Sequence, residues 1–318
     1  MEQALNSRQR KDNNMSNLPN AVCLICVGGV TLTGNKPRDR QEADIVVCNQ
    51  CGHIQMFPLL TPEEEKEEYD NDTSVRFGGI TDGSDFEAMR VRYSEWTKQH
   101  ADIYFDILQN YENILEIGSG YGFFMEALNA RSDRRFDIEG IEIGQFRLDN
   151  FVGGTAVHNI NVLTDDIPHE LQHKYDCIIC MHVLEHISQP VLFLERIKAL
   201  LKPGGNVIFE VPNINCLLGE ISAEYKNFMY LYGHCSYFFE GTLRLVFEKA
   251  GYNVKNICTY EIYSVENHCR WVREGVPFTK YNQMFMPDEK LEWINRIYKD
   301  EIGKQGKGFA LTIQANIK

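Results

Sequence analysis

From residue 111 onward, short apolar runs alternate with longer segments whose apolar residues recur every three or four positions. The runs are NILEIG, FDIEGIEI, TAVHNI, YDCIICM, GGNVIFEVP, YNVKNICTYEI and GFALTIQAN, each with the length and composition of a strand. Most of the segments between them read as helices. PVLFLERIKALLKPGG, for example, carries an apolar stripe that ends at Pro-Gly-Gly. This alternation predicts an α/β fold with a mostly parallel seven-stranded sheet covered on both faces. Ligands of such sheets sit beyond the carboxyl ends of the strands.

Three other patterns precede the sheet. Residues 1–20 are polar and aperiodic, and a disordered tail is expected there. Residues 21–58 hold four cysteines in two pairs. Residues 59–110 open with TPEEEKEEYD, where Thr61 can cap a helix starting at Pro62. They continue through DFEAMRVRYSEWTKQHADIYFDIL at helical spacing, as a helical connector or lid. Residues 111–318 then form the main domain.

The loop after the first main-domain strand, in LEIGSGYG, has Gly118, Gly120 and Gly122 spaced G-x-G-x-G. The dinucleotide fingerprint is G-x-G-x-x-G and the phosphate loop ends in Gly-Lys-Ser/Thr, so neither fits. Glu116 sits at the end of the same strand and Glu142 ends the next one, where a carboxylate can accept both ribose hydroxyls of an adenosine. Asp165 and Asp166 follow the third strand.

Together with HVLEHI and LKPGG, in this order and spacing, these features resemble the class I S-adenosylmethionine-dependent methyltransferases over about residues 111–318. The resemblance implies a Rossmann-like sheet. It also implies that Glu116, the three glycines and Met181 hold the methionine end of the cofactor, that Glu142 holds the ribose, and that Asp165 or Asp166 faces the adenine amino group.

The pairs Cys23/Cys26 and Cys48/Cys51, each C-x2-C, read as a zinc ribbon with a closed, structural four-sulfur shell. His53 follows the second pair and reads as a knuckle neighbour, with ligation as the alternative. Cys177 and Cys180 lie in a strand run, where residues three apart face opposite ways, and read as core. The front segment CLIC…CNQCGHIQMFPLLTPEEEKEEYDND also resembles the zinc-binding lobe of methyltransferases that modify nucleotide-linked deoxysugars, with Tyr69 matching a site-proximal tyrosine. In sugar C-methyltransferases of that kind a large carboxy-terminal domain follows, whereas this sequence ends on GFALTIQAN. The acceptor is therefore expected to be a small polar molecule, sugar-like or a secondary metabolite. O-, N- and C-methylation stay open.

Methyl transfer is an in-line displacement, so the protein must align the reactants and exclude water. A hydroxyl acceptor also needs a base. His234, in YGHCSYFF, is the first candidate and His182, at a strand tip, the second. His186 reads as a structural residue at a helix start, and Tyr230 and Tyr237 as residues that shape the pocket.

A net charge of −13 argues against a nucleic-acid partner. No apolar run approaches the roughly 20 residues of a membrane span, and the first residues lack the apolar centre of a signal peptide. A cytoplasmic location with reduced cysteines is expected. The competing readings are a nicotinamide oxidoreductase, a non-catalytic zinc-ribbon module, and a methyltransferase acting on protein or RNA.

Overall fold

The computed structural model describes residues 17–60, 64, 86–131, 136–276 and 291–317. Residues 1–16 of the expected tail, the helix expected from Pro62, and Tyr69 lie outside the described residues. Four short strands come first: β1 (Asn17–Val22), β2 (Gly29–Leu32), β3 (Asp44–Cys48) and β4 (Ile54–Phe57). They pair antiparallel in chain order. β1 begins at Asn17, inside the stretch read as tail, because its backbone pairs with β2.

The long helix α1 (Phe86–Leu108) leads into the main domain. There follow β5 (Asn113–Ile117), α2 (Phe123–Ala130), β6 (Asp137–Ile141), α3 (Gln145–Asp149), β7 (Val157–His158) and β8 (Tyr175–Met181). Next come α4 (Pro190–Ile197), β9 (Leu201–Pro212), α5 (Leu217–Ile221), α6 (Ala223–Met229) and β10 (Ser236–Tyr237). The last elements are α7 (Glu240–Lys249), β11 (Tyr252–Tyr260), α8 (Val265–Glu274), α9 (Glu292–Lys304) and β12 (Ala310–Ile317).

All seven apolar runs of the main domain become strands of one seven-stranded sheet, ordered β11-β12-β9-β8-β5-β6-β7. β5, β6, β7, β8 and β9 run parallel, and β12 is antiparallel to both of its neighbours. The central strand β8 is buried along nearly its whole length, which explains a run too apolar to alternate. Cys177 and Cys180 are fully buried on opposite faces of it. Cys177 packs with Tyr104 and Met125, and Cys180 with Leu115 and Phe209. The Lys-Pro-Gly-Gly turn does not separate helix from strand, since β9 already starts at Leu201 with Gly204 at φ +76.

β10 joins the front sheet and not the main one. Ser236 pairs with Gln55 and Tyr237 with Ile54, and the Met56 N–H donates to the Cys235 carbonyl at 3.2 Å. The fully buried His53 reaches across this seam to the Ser236 hydroxyl at 3.1 Å, and burial lowers its pKa to about 3. Beneath the seam, Ala43, Ile45 and Met56 of the front sheet share a core with Tyr225, Tyr230 and Trp271. The aromatic density of segment 225–239 is therefore spent on packing. Among the described residues no helix is long and apolar enough to cross a membrane.

Phe209 stands at the centre of the main sheet, fully buried, with its ring 6.4 Å from that of Phe193 and 5.2 Å from that of Phe247. Phe209→Ala is expected to cost about 3–5 kcal/mol, read as a lower urea midpoint at unchanged slope.

Candidate active site

The glycine loop hangs from the tip of β6, where the N–H groups of Gly118 and Ser119 donate to the Ile141 carbonyl at 2.8 and 3.1 Å. Gly118, Gly120 and Gly122 all have positive φ. A Cβ on Gly118 would lie 2.3 Å from Val183 Cγ2, so the first glycine is needed to let the β5 and β8 tips close up. A Cβ on Gly120 would meet no atom within 4 Å, which leaves the loop's middle open beside it.

The two predicted strand-tip acids lie close together and differ in their partners. Glu142 is buried and accepts from Gly120 N at 2.8 Å, Ile143 N at 2.9 Å and Gly144 N at 2.8 Å, with Arg147 Nη1 at 3.7 Å. Glu116 is also buried, and its Oε2 has no hydrogen-bond partner. Burial, with the charge of Glu142 beside it, pushes the Glu116 carboxyl well above its ordinary range. A buried, unpartnered carboxyl oxygen next to a second carboxylate favours positive charge nearby. S-adenosylmethionine brings an ammonium and a sulfonium, and its ribose hydroxyls suit the carboxylate of Glu142. The residues present therefore fit this cofactor.

Past these acids opens a cavity of about 300 Å³. Gly118, Glu142, His182 and His234 line it, together with Leu60 from the front segment and Val183 from the β8 tip. Glu116, Gly120, Gly122 and Met181 are not on its wall. Asp165 and Asp166 are exposed and also off the wall. Asp165 instead caps a turn, accepting from Asn161 N at 2.8 Å and the Thr164 hydroxyl at 3.0 Å. Arg196 bonds the carbonyls of Val162 and Asp165 and holds this loop down. Asn161, Val162 and Leu163 are what the loop presents to the cavity. Sequence reasoning missed them because it looked for an acid there. Their signal was their position, directly after the third strand.

The histidines differ in state. His182 adopts φ +53, an uncommon conformation for a non-glycine residue, directly after β8. Its Nε2 is 2.8 Å from Glu210 Oε1 and its Nδ1 3.4 Å from Glu185 Oε1. Burial alone would lower its pKa, but Glu185 and Glu210 together raise it to about 10. With both ring nitrogens engaged by carboxylates, His182 is poorly suited to accept a proton. His234 is half-buried on the cavity wall, and burial followed by the neighbouring His186 lowers its pKa to about 3. It is a neutral imidazole at ordinary pH. His186 Nδ1 donates to the Gly233 carbonyl at 2.8 Å, and its ring lies 4.7 Å from that of His234. It thereby ties the His234 loop to the β8 tip. Tyr237 donates to the Leu231 carbonyl at 2.8 Å and packs on Tyr230, and neither lines the cavity.

The four cysteines of the front sheet converge, with Cys23 and Cys51 sulfurs 3.6 Å apart and Cys26 and Cys48 sulfurs 3.3 Å apart. A tetrahedral zinc–thiolate shell has edges of about 3.8 Å, so the set fits one ion after a small expansion. Backbone N–H groups of Ile25, Gln50 and Cys51 point at the Cys23 and Cys48 sulfurs, as tight knuckles require. Burial raises the Cys48 thiol, but the N–H groups of Cys51 and Gln50 outweigh it and bring Cys48 down to about 7. Burial drives Cys23 well up and takes Cys51 to about 11.

Gly118→Ala forces a methyl group into Val183 at a positive φ. It is expected to weaken S-adenosylmethionine binding at least tenfold by calorimetry while the far-UV circular dichroism stays unchanged.

Comparison with known proteins identifies relatives of this chain. A ubiquinone biosynthesis O-methyltransferase of Pseudomonas aeruginosa is 30% identical over 122 residues, which cover 36% of this chain and 51% of that protein. One from Paraburkholderia phytofirmans is 31% identical over 119 residues with the same coverage. The chain thus spans about half the length of the curated relatives it matches. Among solved structures, a SAM-dependent methyltransferase of Archaeoglobus fulgidus aligns with TM-score 0.47 at 16% identity over 73% of this chain and 99% of its own. One from Thermotoga maritima aligns with TM-score 0.48 at 16% identity, over 74% of this chain and 96% of its own. A family model described as a methyltransferase domain matches residues 87–257, more than half of the sequence. It runs from the start of α1 through the glycine loop, both strand-tip acids and the His234 loop, and so this chain belongs to the S-adenosylmethionine-dependent methyltransferase family.

Proposed function

We propose that the chain transfers a methyl group from S-adenosylmethionine to a hydroxyl of a small polar acceptor, sugar-like or a secondary metabolite, with His234 as the base and a structural Zn2+ held by Cys23, Cys26, Cys48 and Cys51. The observation that carries this reading is one shared cavity, with Gly118 and Glu142 on its cofactor side and neutral His234 also on its wall. The curated relatives are O-methyltransferases, which supports an oxygen acceptor. A cavity walled by Leu60 and Leu231 supports a small molecule over a polymer, as does the net charge of −13.

When bound, the cofactor supplies a methyl carbon activated by positive sulfur. Glu142 would hold its ribose end, Glu116 behind the wall would add negative charge near its methionine end, and the glycine loop would allow close approach. His234 takes the acceptor proton on an imidazole nitrogen as the oxygen–carbon bond forms and the carbon–sulfur pair returns to sulfur. Val183 and Leu60 keep water out of the line of attack. The four-sulfur shell leaves no open coordination position, which restricts that ion to holding the front sheet together.

His234→Ala is expected to lower kcat at least tenfold and leave the calorimetric Kd for S-adenosylmethionine unchanged; unchanged turnover removes His234 as base. Because burial keeps His234 neutral down to about 3, kcat/KM between pH 5 and 8 is expected to show no titration near 6.5, the ordinary histidine value. Cys23→Ser is expected to lose one equivalent of bound Zn2+ by mass spectrometry and to lower Tm by several degrees.

A further inference from the structure

We propose that His100, His182 and Glu210 form a second divalent-metal site, behind the cofactor cavity, for a borderline transition ion such as Zn2+, Fe2+ or Co2+. The three residues come from three elements: His100 from the middle of α1, His182 from the turn after β8, and Glu210 from β9. Their ligand atoms lie within 4.8 Å of one another, and both imidazole Nε2 atoms stand 2.8 Å from the same oxygen, Glu210 Oε1. His100 and Glu210 are buried, while His182 lines the cavity and provides the way in.

The hydrogen-bond directions favour an ion at the centre. His100 Nδ1 is 2.7 Å from the Trp96 carbonyl, which only accepts, so the ring carries its N–H there and turns Nε2 toward Glu210. His182 Nδ1 faces Glu185 at 3.4 Å, so its N–H is drawn the same way. Tyr104 donates to Glu210 Oε2, which leaves Oε1 as the inward oxygen. Every candidate ligand therefore has an outer partner that orients it: a carbonyl, a carboxylate and a phenol. That is the outer shell expected around metal-bound histidines and carboxylates. The Tyr260 hydroxyl, 2.9 Å from His100 Nε2, donates to that nitrogen in the metal-free cluster and would yield it to the ion.

The charge points the same way. Glu185 and Glu210 are both buried carboxylates, and buried negative charge must be offset nearby. One divalent ion bound by two neutral imidazoles offsets both acids in place of the protonated His182 of the metal-free cluster. His182 is also held at a positive φ, a cost that persists only where the surroundings require that side chain in that place. Two imidazoles and one carboxylate suit the transition ions and not Mg2+ or Ca2+, which prefer all-oxygen shells. The inference does not rest on the methyl-transfer reading, since the ion would tie α1 to the sheet whatever the acceptor is.

The test is the ion content of the full chain after loading with Co2+ and removal of excess metal, read by mass spectrometry and visible absorption. The wild type is expected to hold one ion with thiolate charge-transfer bands and a second with only the weaker bands of nitrogen and oxygen ligands. His100→Gln and Glu210→Gln are each expected to lose the second and keep the first. Absence of the nitrogen/oxygen-bound ion in the wild type overturns the proposal without recourse to any variant, and leaves a proton-bridged cluster. Persistence of that ion in His100→Gln also overturns it, and moves the ion to the neighbouring group Glu185, His186 and His234.

Discussion

Two acids that cannot comfortably be charged together set the terms for this molecule. Glu116 is the next-to-last residue of β5 and Glu142 follows β6, and these are neighbouring parallel strands. The sheet leaves no freedom to move the two side chains apart. Glu142 meets the problem with three backbone N–H groups drawn from the loops around it. Glu116 keeps one oxygen bare. The glycine loop, the turn after β6 and the cavity wall are arranged around that unequal pair. A cationic ligand answers the remaining need better than any neutral nucleoside could.

Around the same cavity, one residue type is held in different states by its neighbours alone. His234 sits among apolar walls beside another imidazole and stays uncharged. His182, close to it across the cavity, is bracketed by two carboxylates and is drawn toward positive charge or toward a cation. His53, at the seam between the sheets, is buried against a serine. What sets His182 apart from the other two is a carboxylate at each ring nitrogen, Glu210 at Nε2 and Glu185 at Nδ1.

The main sheet was fully legible in the sequence, because each buried strand is a compact apolar run and each connection supplies its own stop signal. The strand-tip positions of Gly118 and Glu142 were legible for the same reason, and both line the cavity. What the sequence hid were the contacts made between distant segments. Glu210 sits in GGNVIFEVP and reads as an ordinary strand residue, yet it gathers His100 from about a hundred positions earlier. Asp165 and Asp166 read as adenine acids because they follow a strand; in the fold both are exposed and off the cavity wall, and Asp165 closes its own turn. The front lobe was read as a ribbon from its two cysteine pairs, while the bounds of β1 to β4 were not, because these strands are four to six residues long and carry little pattern of their own.

The two residues of β10 carry a consequence of a different kind. The front sheet takes its fifth strand from a segment that lies some 180 positions downstream and directly follows His234. The cysteine lobe is therefore not a detachable appendage. A chain stripped of it would present bare strand edges and an exposed aromatic core where the lobe had been, inviting self-association. Any exchange of lobes between relatives, by recombination or by an engineer, would have to carry Ser236 and Tyr237 along with it.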